Sequence, residues 1–509
     1  MSVSFSTVIQ KLRPMPKAAT SPTLDSYLSK IPETIVSRLS NGVFVASESF
    51  KGLSKNFPAH TEFATVGISI QAGSAYEDRE KNGCAALLQK CSIGATQKFK
   101  NTDKLGAKID QLGGHFHAST KRDRTNFYFK CHKSDIRATV NLLAEMVRNP
   151  LLNQETIDKA RKMQLVELKD AEEDTEGVMM NNMHIAAFDS TPRGYGATPM
   201  GTAEAVQSVT ESDIRSYLSS NWTAGRIALI GCGAVDHAEL ESYAQEHFGD
   251  MSPVTTGSPS TKSFDRSGLA PRMESRFVGG DIKLWNLRMK VSHFAWAFET
   301  CGADCGDIVP LTLLTHIHGP YHRSQHDLVQ HSFQLTYKCM TAMDHSTPTN
   351  THFPEKGIEC VNPFFHSYED VGLLGKAFTG RPEPTGTGIA NNFMDYVQLT
   401  MMEFTRMSQK AVHPNELEAA KVMYKSQLLM GHDGATNSFE DISKQIFYRG
   451  RRVPIAEMFA RVDDITPTNV MEVLQHYYYS RRPVLSYSGY VYMTPSYDLV
   501  LHWTNKYFY

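Results

Sequence analysis

An internal repeat is the sequence feature that most constrains the fold of this 509-residue chain. The segment that starts at Thr210 aligns with the segment that starts at Thr466 at a constant offset, 466 − 210 = 256. Upstream, Ile157 aligns with Leu417 at an offset of 260, and a difference of four residues is an ordinary change of loop length. Two amphipathic units can match by chance, but identical residues at matched positions disfavour chance: Ala160 with Ala420, Leu218 with Leu474, Arg226 with Arg482, and Gly233 with Gly489. The chain is therefore predicted to contain two similar halves.

The segment between the halves has the composition of a linker. Residues 252–272 are rich in Ser, Thr, Pro and Gly, which is typical of a connection between compact units. We therefore predict an N-terminal domain over residues 29–255 and a C-terminal domain over residues 273–509. Each is long enough to bury its own core.

Hydrophobic patterns in the first half predict both strands and helices. Residues 64–72 alternate apolar with polar or small side chains, as a half-buried strand does. Further strand candidates are residues 126–131 and 226–231. Apolar residues at helical spacing predict helices over 105–112 and over 136–147, the second capped by Ser134. A duplicated sheet covered by helices is the implied architecture.

The composition disfavours several classes of protein. Lys and Arg number 52 against 54 Asp and Glu, so no basic excess favours nucleic acid or an anionic membrane as the main partner. We find no run of about 18 uncharged apolar residues, which a membrane-spanning helix would need. The eight cysteines include no Cys-x-x-Cys pair, so a reducing compartment is expected. Cys301 and Cys305 would share one helix face, and ordinary thiols are favoured over a redox pair.

The amino terminus has the composition of a targeting segment. Residues 1–24 contain no Asp or Glu, carry Lys11, Arg13 and Lys17, and include seven Ser or Thr. This pattern predicts a mitochondrial transit segment within residues 1–28. A polar, disordered tail is the alternative interpretation.

Five segments of the chain resemble one known family. They are residues 30–49, 68–73, 82–96, 364–375 and 447–458. They are similar to the mitochondrial processing peptidase family, which also supplies the two large core proteins of ubiquinol-cytochrome c reductase, respiratory complex III. The resemblance runs from about residue 30 to the end. It implies a pitrilysin-like α+β fold of two homologous domains, each a mainly antiparallel sheet with helices packed on one side.

The catalytic motif of this family is degenerate here. Active members carry His-x-x-Glu-His on a helix, in which the two His bind zinc and the Glu acts as the base on metal-bound water. The corresponding positions are Ala86, Gln89 and Lys90, so both His ligands and the base are missing. Glu167 matches the distant third ligand, 167 − 90 = 77 residues on, and is expected in a solvated or ion-paired position. We therefore predict no peptidase activity, no metal and no cofactor.

Histidines elsewhere offer weaker metal candidates. The densest cluster comprises His316, His318, His322, His326 and His331. Three of them, at 318, 322 and 326, would share one face of a helix and could bind zinc, but Pro320 interrupts that helix. His115 and His117 alternate along a predicted strand and face the same way, where packing or surface exposure is favoured over metal binding.

The lineage within the family is inferred from short segments. Pro32–Thr34, Gly450–Pro454 and the aromatic tail resemble the zinc-bearing (beta) subunit and core protein 1, whereas residues 366–375 resemble the presequence-binding subunit and residues 341–357 match neither. That second subunit grips presequences through a glycine-rich loop, but residues 306–335 contain only Gly306 and Gly319. The resemblance is therefore closest to the beta-subunit and core protein 1 lineage with its zinc site lost.

The resemblance also implies a function. We expect a non-catalytic core subunit of complex III, a scaffold peripheral to the inner membrane on its matrix side and present twice in the dimeric complex. The implied partners are a second core protein, cytochrome b, cytochrome c1 and the Rieske subunit, and no nucleic acid. The alternative is the noncatalytic, presequence-binding subunit of the soluble processing peptidase.

Overall fold

A computed structural model describes most of the chain. The described residues are 28, 31–50, 62–188, 194–252, 275–286, 289, 291–322, 358–380, 393–489 and 494–504. Nearly all of the predicted targeting segment and of the predicted linker lie outside these residues, as does the segment 341–357. The domain boundaries at residues 29, 255 and 273 therefore stay predictions.

Six strands of the first half form one sheet. The strands are β1 (Ile35–Arg38), β2 (Phe44–Ser49), β3 (Phe63–Ile70), β4 (His115–Thr120), β5 (Thr125–His132) and β6 (Ile227–Gly233). Their order is β1-β2-β6-β3-β5-β4. Only β2 and β6 run parallel, and the other neighbours pair antiparallel.

The second half contains a six-stranded sheet of closely related topology. Its strands are β7 (Gly280–Trp285), β8 (Ser292–Cys301), β9 (Tyr321–His322), β10 (Ile358–Ser367), β11 (Val371–Gly380) and β12 (Pro483–Gly489). The order is β7-β12-β8-β11-β10-β9, and again a single pair, β7 with β12, is parallel. The mainly antiparallel, duplicated α+β fold predicted from the sequence is confirmed.

Fifteen α-helices are described. They are α1 (Cys84–Gly94), α2 (Thr102–Gln111), α3 (Ile136–Arg148), α4 (Gln154–Glu173), α5 (Thr175–Ala187), α6 (Ala203–Ser208), α7 (Glu211–Asn221), α8 (His237–Phe248), α9 (Ile308–His318), α10 (Phe393–Gln409), α11 (Pro414–Gly431), α12 (Ala435–Arg449), α13 (Ile455–Asp463), α14 (Pro467–Tyr477) and α15 (Tyr497–Thr504). Among the described residues, none of these helices combines the length and the apolar character needed to cross a membrane.

The repeat seen in the sequence is a structural repeat. Helices α7 and α14 each begin with a capping box, in which Thr210 and Thr466 exchange hydrogen bonds with the third helical residue. Strands β6 and β12 end at Gly233 and Gly489, whose φ angles are +103° and +111°. Only glycine adopts this conformation without strain, so the matched glycines mark the same sharp exit from both sheets.

Each sheet is covered on its second face by a helix from the other half. Phe439, Ile442 and Ile446 on α12 pack in one apolar cluster with Phe44 and Ile230 of the first sheet. In return, α5 packs on the second sheet, where Met179 and Met183 share a cluster with Ala295, Ala297 and Val484. We call this arrangement the helix exchange. Other helices of each half pack on one side of its own sheet, and the helix from the other half covers the second side.

The helix exchange corrects one sequence prediction. Strand β3 was predicted to be half-buried, yet every residue from Ala64 to Ile70 is buried. Its polar or small face, Thr65, Gly67 and Ser69, lies under α12, and a Cβ at position 67 would lie 2.6 Å from the Phe439 ring. The prediction failed because the covering helix comes from residues more than 360 positions later, 435 − 67 = 368.

Helix α3 differs from its prediction at the start. The predicted cap, Ser134, lies in a short 3-10 turn over Lys133–Asp135, and its backbone N–H donates to the His132 side chain. Asp135 is the N-cap residue of α3, although its side chain makes no capping hydrogen bond. The observed N-cap therefore lies one residue after the predicted cap, Ser134.

Candidate functional site

The degenerate motif lies on a buried helix. Helix α1 places Ala86 and Lys90 one turn apart, with Gln89 between them, as the family's motif requires. Ala86 and Gln89 are buried. The backbone geometry of the motif is therefore present, and only the side-chain chemistry differs.

Lys90 forms an ion pair with Glu167, the residue that matches the third zinc ligand. Lys90 Nζ lies 2.6 Å from Glu167 Oε2, a contact that joins α1 to α4. The Lys90 side chain is only 10% exposed, whereas the Glu167 side chain is 48% exposed. The ammonium group thus neutralises the remaining carboxylate, which is the ion-paired position expected for Glu167.

The donor atoms at this site do not fit zinc. Zinc in this family requires two imidazoles and a carboxylate. Ala86 offers no donor atom, and the Gln89 amide is neutral and cannot take a proton. The Lys90 ammonium group has only donor hydrogens, and the Glu167 carboxylate is already paired with it. The arrangement supports no activated water, and we derive no metal-dependent step from it.

The buried carboxylate of Glu77 holds the start of helix α1 in place. This residue was not identified from the sequence. Glu77 Oε1 accepts from the backbone N–H of Ala85 at 2.5 Å, and Oε2 accepts from the N–H of Gly83 and the amide of Asn82, both at 2.7 Å. Burial raises the pKa of Glu77 to about 8, although the backbone N–H groups act in the opposite direction. Because Glu77 precedes the helix by seven residues, no local capping pattern indicates its role.

The predicted histidine helix does not exist beyond His318. Helix α9 ends there, Gly319 adopts a positive φ of 55°, and His322 lies in strand β9. The prediction that His318 shares a helix face with His322 is therefore wrong, because Gly319 and Pro320 end the helix. His326 and His331 lie outside the described residues.

The two histidines at the end of α9 have packing partners. His318 is buried and stacks on Phe404, with ring centroids 4.4 Å apart, while its Nδ1 lies 3.0 Å from Lys376 Nζ. Burial lowers the pKa of Lys376 to about 7. The ring nitrogens of His316 contact the Thr312 carbonyl oxygen and the Gln427 side chain. These contacts indicate structural roles for both residues.

The remaining candidates are placed as follows. His115 and His117 lie on β4 with exposed side chains on one face, as predicted, and the His117 ring packs on Tyr128 with centroids 4.9 Å apart.

Cys301 and Cys305 do not share a helix, which corrects the prediction, because Cys301 ends β8 and Cys305 lies in the following turn. Burial, followed by a hydrogen bond with Cys305, raises the pKa of the Cys301 thiol to about 12.

Charged side chains join the two halves beside the motif Gly450–Pro454. Arg452 in this motif forms an ion pair with Glu48 of β2, whose side chain is 1% exposed, and donates from Nε to Asp441 Oδ2 at 2.8 Å. Burial lowers the pKa of Arg452 to about 10. The segment that indicated the lineage therefore has a structural role, which is to neutralise a buried carboxylate of the other half.

A buried histidine forms a second polar contact between the halves. His184 on α5 contacts the Met180 carbonyl oxygen through Nδ1 and the Tyr368 hydroxyl through Nε2, both at 2.8 Å. The Met180 carbonyl oxygen accepts from Nδ1–H, so in the neutral ring Nε2 accepts from the Tyr368 hydroxyl. Burial, followed by the positive charge of Arg122, lowers the pKa of His184 well below its usual value.

Comparisons with known proteins match both halves of the chain. Residues 54–198 match the family described as insulinase (peptidase family M16), and residues 208–424 match the peptidase M16 inactive domain. The chain is 31% identical to a mitochondrial ubiquinol-cytochrome-c reductase complex core protein I from Euglena gracilis, over 89% of this chain and 87% of that protein. It is 29% identical to the beta subunit of mitochondrial-processing peptidase from Rattus norvegicus, over 93% and 88%.

A solved structure has the same fold. A chain of complex III2 from Candida albicans with Inz-5 bound superposes with a TM-score of 0.74 at 17% identity, over 93% of this chain and all of that one. At this identity the similarity speaks for the fold alone. The Euglena relative exceeds 30% identity over most of both chains, so the predicted resemblance is confirmed and this chain belongs to peptidase family M16.

Proposed function

We propose that this protein is a non-catalytic core subunit of mitochondrial ubiquinol-cytochrome c reductase, complex III. The Lys90–Glu167 ion pair carries the proposal, because it replaces the metal-binding chemistry of the family with a structural contact. A subunit that kept the fold but lost zinc retains its surfaces and its size. Its remaining role is then to support other proteins.

The relatives support the same assignment. The Euglena protein is named a core protein I of the reductase complex, and the Candida chain with the same fold comes from complex III2. We propose that this chain is likewise peripheral to the inner membrane on the matrix side and present twice in a dimeric complex. The proposed partners are a second core protein, cytochrome b, cytochrome c1 and the Rieske subunit.

A second candidate is a noncatalytic subunit of the soluble processing peptidase. Relatives named as the beta subunit of mitochondrial-processing peptidase match at 29% identity, which favours a link to that enzyme over unrelated functions but points to its zinc-bearing subunit. The core assignment has the stronger support, since the candidate glycine-rich stretch 306–335 contains only two glycines. Residues 323–335 of that stretch lie outside the described residues.

The decisive experiment is purification of the native protein from its own membranes in mild detergent. We expect the chain to migrate on a native gel in a haem-containing assembly of several hundred kilodaltons. The purified protein should not cleave a synthetic presequence peptide, while an active processing peptidase cleaves it in parallel. A soluble, haem-free heterodimer would favour the second candidate, and presequence cleavage that requires Glu167 would refute the loss of the site.

A further inference from the structure

The turn between β8 and α9 brings two thiols and a carboxylate together. Cys301 is the last residue of β8, and Cys305 and Asp307 precede α9. The N–H of Cys305 donates to the Gly302 carbonyl oxygen at 3.1 Å, which folds the chain back on itself. As a result, the two Sγ atoms and a carboxylate oxygen of Asp307 all lie within 4.8 Å of one another.

The Asp307 carboxylate is directed toward this cluster and not toward its own helix. Asp307 is the N-cap residue of α9, yet its side chain makes no capping hydrogen bond. Its Oδ2 accepts from the Tyr477 hydroxyl of α14 at 2.9 Å, and that hydroxyl also contacts Cys301. A hydrogen bond of this kind holds a ligand carboxylate in place.

The spacing and the donor types suit a thiophilic cation. Ligand atoms of a tetrahedral zinc lie about 3.3 to 3.8 Å apart, which follows from bond lengths of about 2.3 Å to sulfur and 2.0 to 2.2 Å to oxygen. Small side-chain rotations therefore bring the three donors to zinc distances. Cys301, Cys305 and Asp307 are half-buried, so a cation can reach them and a water molecule can complete the coordination.

We propose that Cys301, Cys305 and Asp307 form a zinc site, with Tyr477 orienting the carboxylate. Binding replaces the two thiol protons by one Zn²⁺ and releases both protons to solvent, so affinity rises with pH. The site lies in the second half, on residues separate from the degenerate motif of α1. It clamps the end of a central strand to the start of α9, which is a structural role.

The test uses the full-length, reduced chain stripped of metal and then dialysed against zinc. We expect about one zinc per chain by mass spectrometry, and Co²⁺ in its place should give the absorption bands of a thiolate-bound, tetrahedral ion. Cys301→Ser and Cys305→Ser should each weaken zinc binding by at least about tenfold. Cys360→Ser is the matched control, because Cys360 is also half-buried but lies outside the cluster, and it should bind zinc normally.

A second measurement does not depend on variants. Zinc should protect Cys301 and Cys305, and not Cys360, from alkylation in the unmodified protein. A Cys301–Cys305 disulfide in the reduced preparation, or equal alkylation with and without zinc, would overturn the proposal. Zinc that survives both Cys variants but is lost in Glu167→Gln would overturn it too, and would contradict the proposed function as well. Zinc loss confined to the Cys variants leaves the proposed function intact.

Discussion

Substituting Lys90 and substituting Glu167 should lower the free energy of unfolding by different amounts, although the two residues form one ion pair. Glu167→Gln leaves the Lys90 ammonium without its counterion in a position that is 10% exposed. Lys90→Met leaves a carboxylate that is 48% exposed, which water can solvate, and it keeps the unbranched stem of the side chain. We therefore expect Glu167→Gln to be the more destabilising change.

The magnitudes follow from the two exposures. Breaking a fully buried ion pair costs about 3 to 5 kcal/mol, and an exposed pair contributes about 0 to 1 kcal/mol. Glu167→Gln strands the more buried charge, so we expect a loss of about 2 to 3 kcal/mol in the free energy of unfolding. Lys90→Met should lose about 1 kcal/mol or less. A double variant, Lys90→Met with Glu167→Leu, should recover most of the difference because no charge remains unpaired.

Urea denaturation of the four proteins, followed by circular dichroism, measures these differences. The slopes of the transitions should agree, so that the midpoints report stability alone. Equal losses for the two single variants, or a larger loss for Lys90→Met, would refute the reasoning, since either result means that burial does not decide the cost.

Three further predictions concern the motif, the contact between the halves and pH. The substitutions Ala86→His, Gln89→Glu and Lys90→His restore the family motif and remove the ammonium group that pairs with Glu167. Metal analysis should then find one additional zinc per chain, with Glu167 as the third ligand. Arg452→Met should lower the free energy of unfolding in urea by about 3 to 5 kcal/mol, because it strands the buried Glu48 carboxylate. The free energy of unfolding should fall as pH drops below about 6.5, because burial keeps His184 neutral in the folded protein while the unfolded chain takes up the proton. His184→Gln should remove part of that dependence in urea titrations between pH 7 and 5, and His366, whose pKa burial lowers to about 4, should keep the rest.

Each of these predictions has a control. The restored motif should not gain zinc when Glu167→Gln is added. Arg451→Met should cost less than about 1 kcal/mol, because Arg451 is 52% exposed and pairs with Glu457 at the surface. For the pH series, His117→Gln should leave the dependence unchanged, since His117 is exposed on β4. A pH dependence that is the same with and without His184 would contradict the assignment.

Local signals allowed much of the fold to be predicted. The offset of 256 located the matched helices α7 and α14, because a capping threonine and a closing glycine are set by backbone geometry within a few residues. The degenerate motif stays a prediction from the sequence, in which Ala86 and Lys90 stand at the ligand positions and Gln89 at the position of the base. The sequence left a solvated or an ion-paired position open for Glu167, and the structure gives it Lys90 as its partner.

Contacts between segments that are distant in the sequence could not be predicted from local residue patterns. Strand β3 is buried on both faces because α12 covers its polar or small face. In the sequence, the polar residues on that face predict exposure to solvent. Glu77 and Glu48 read as surface carboxylates, although each is buried among specific donors. The spacing of Cys301 and Cys305 suggested a helix, whereas glycines at 302 and 306 favour the observed turn. In each case a partner far along the chain, or a backbone bend, outweighs the local periodicity.

The helix exchange also sets the order in which the chain can finish folding. If the chain enters its compartment amino terminus first, as the predicted transit segment implies, the strands of the first sheet are complete at Gly233, but α12 begins at Ala435, 435 − 233 = 202 residues later. Until those 202 residues have followed, one face of the first sheet lacks its covering helix. During this interval Phe44 and Ile230 are exposed to other chains, so the imported first half should be a substrate for chaperones.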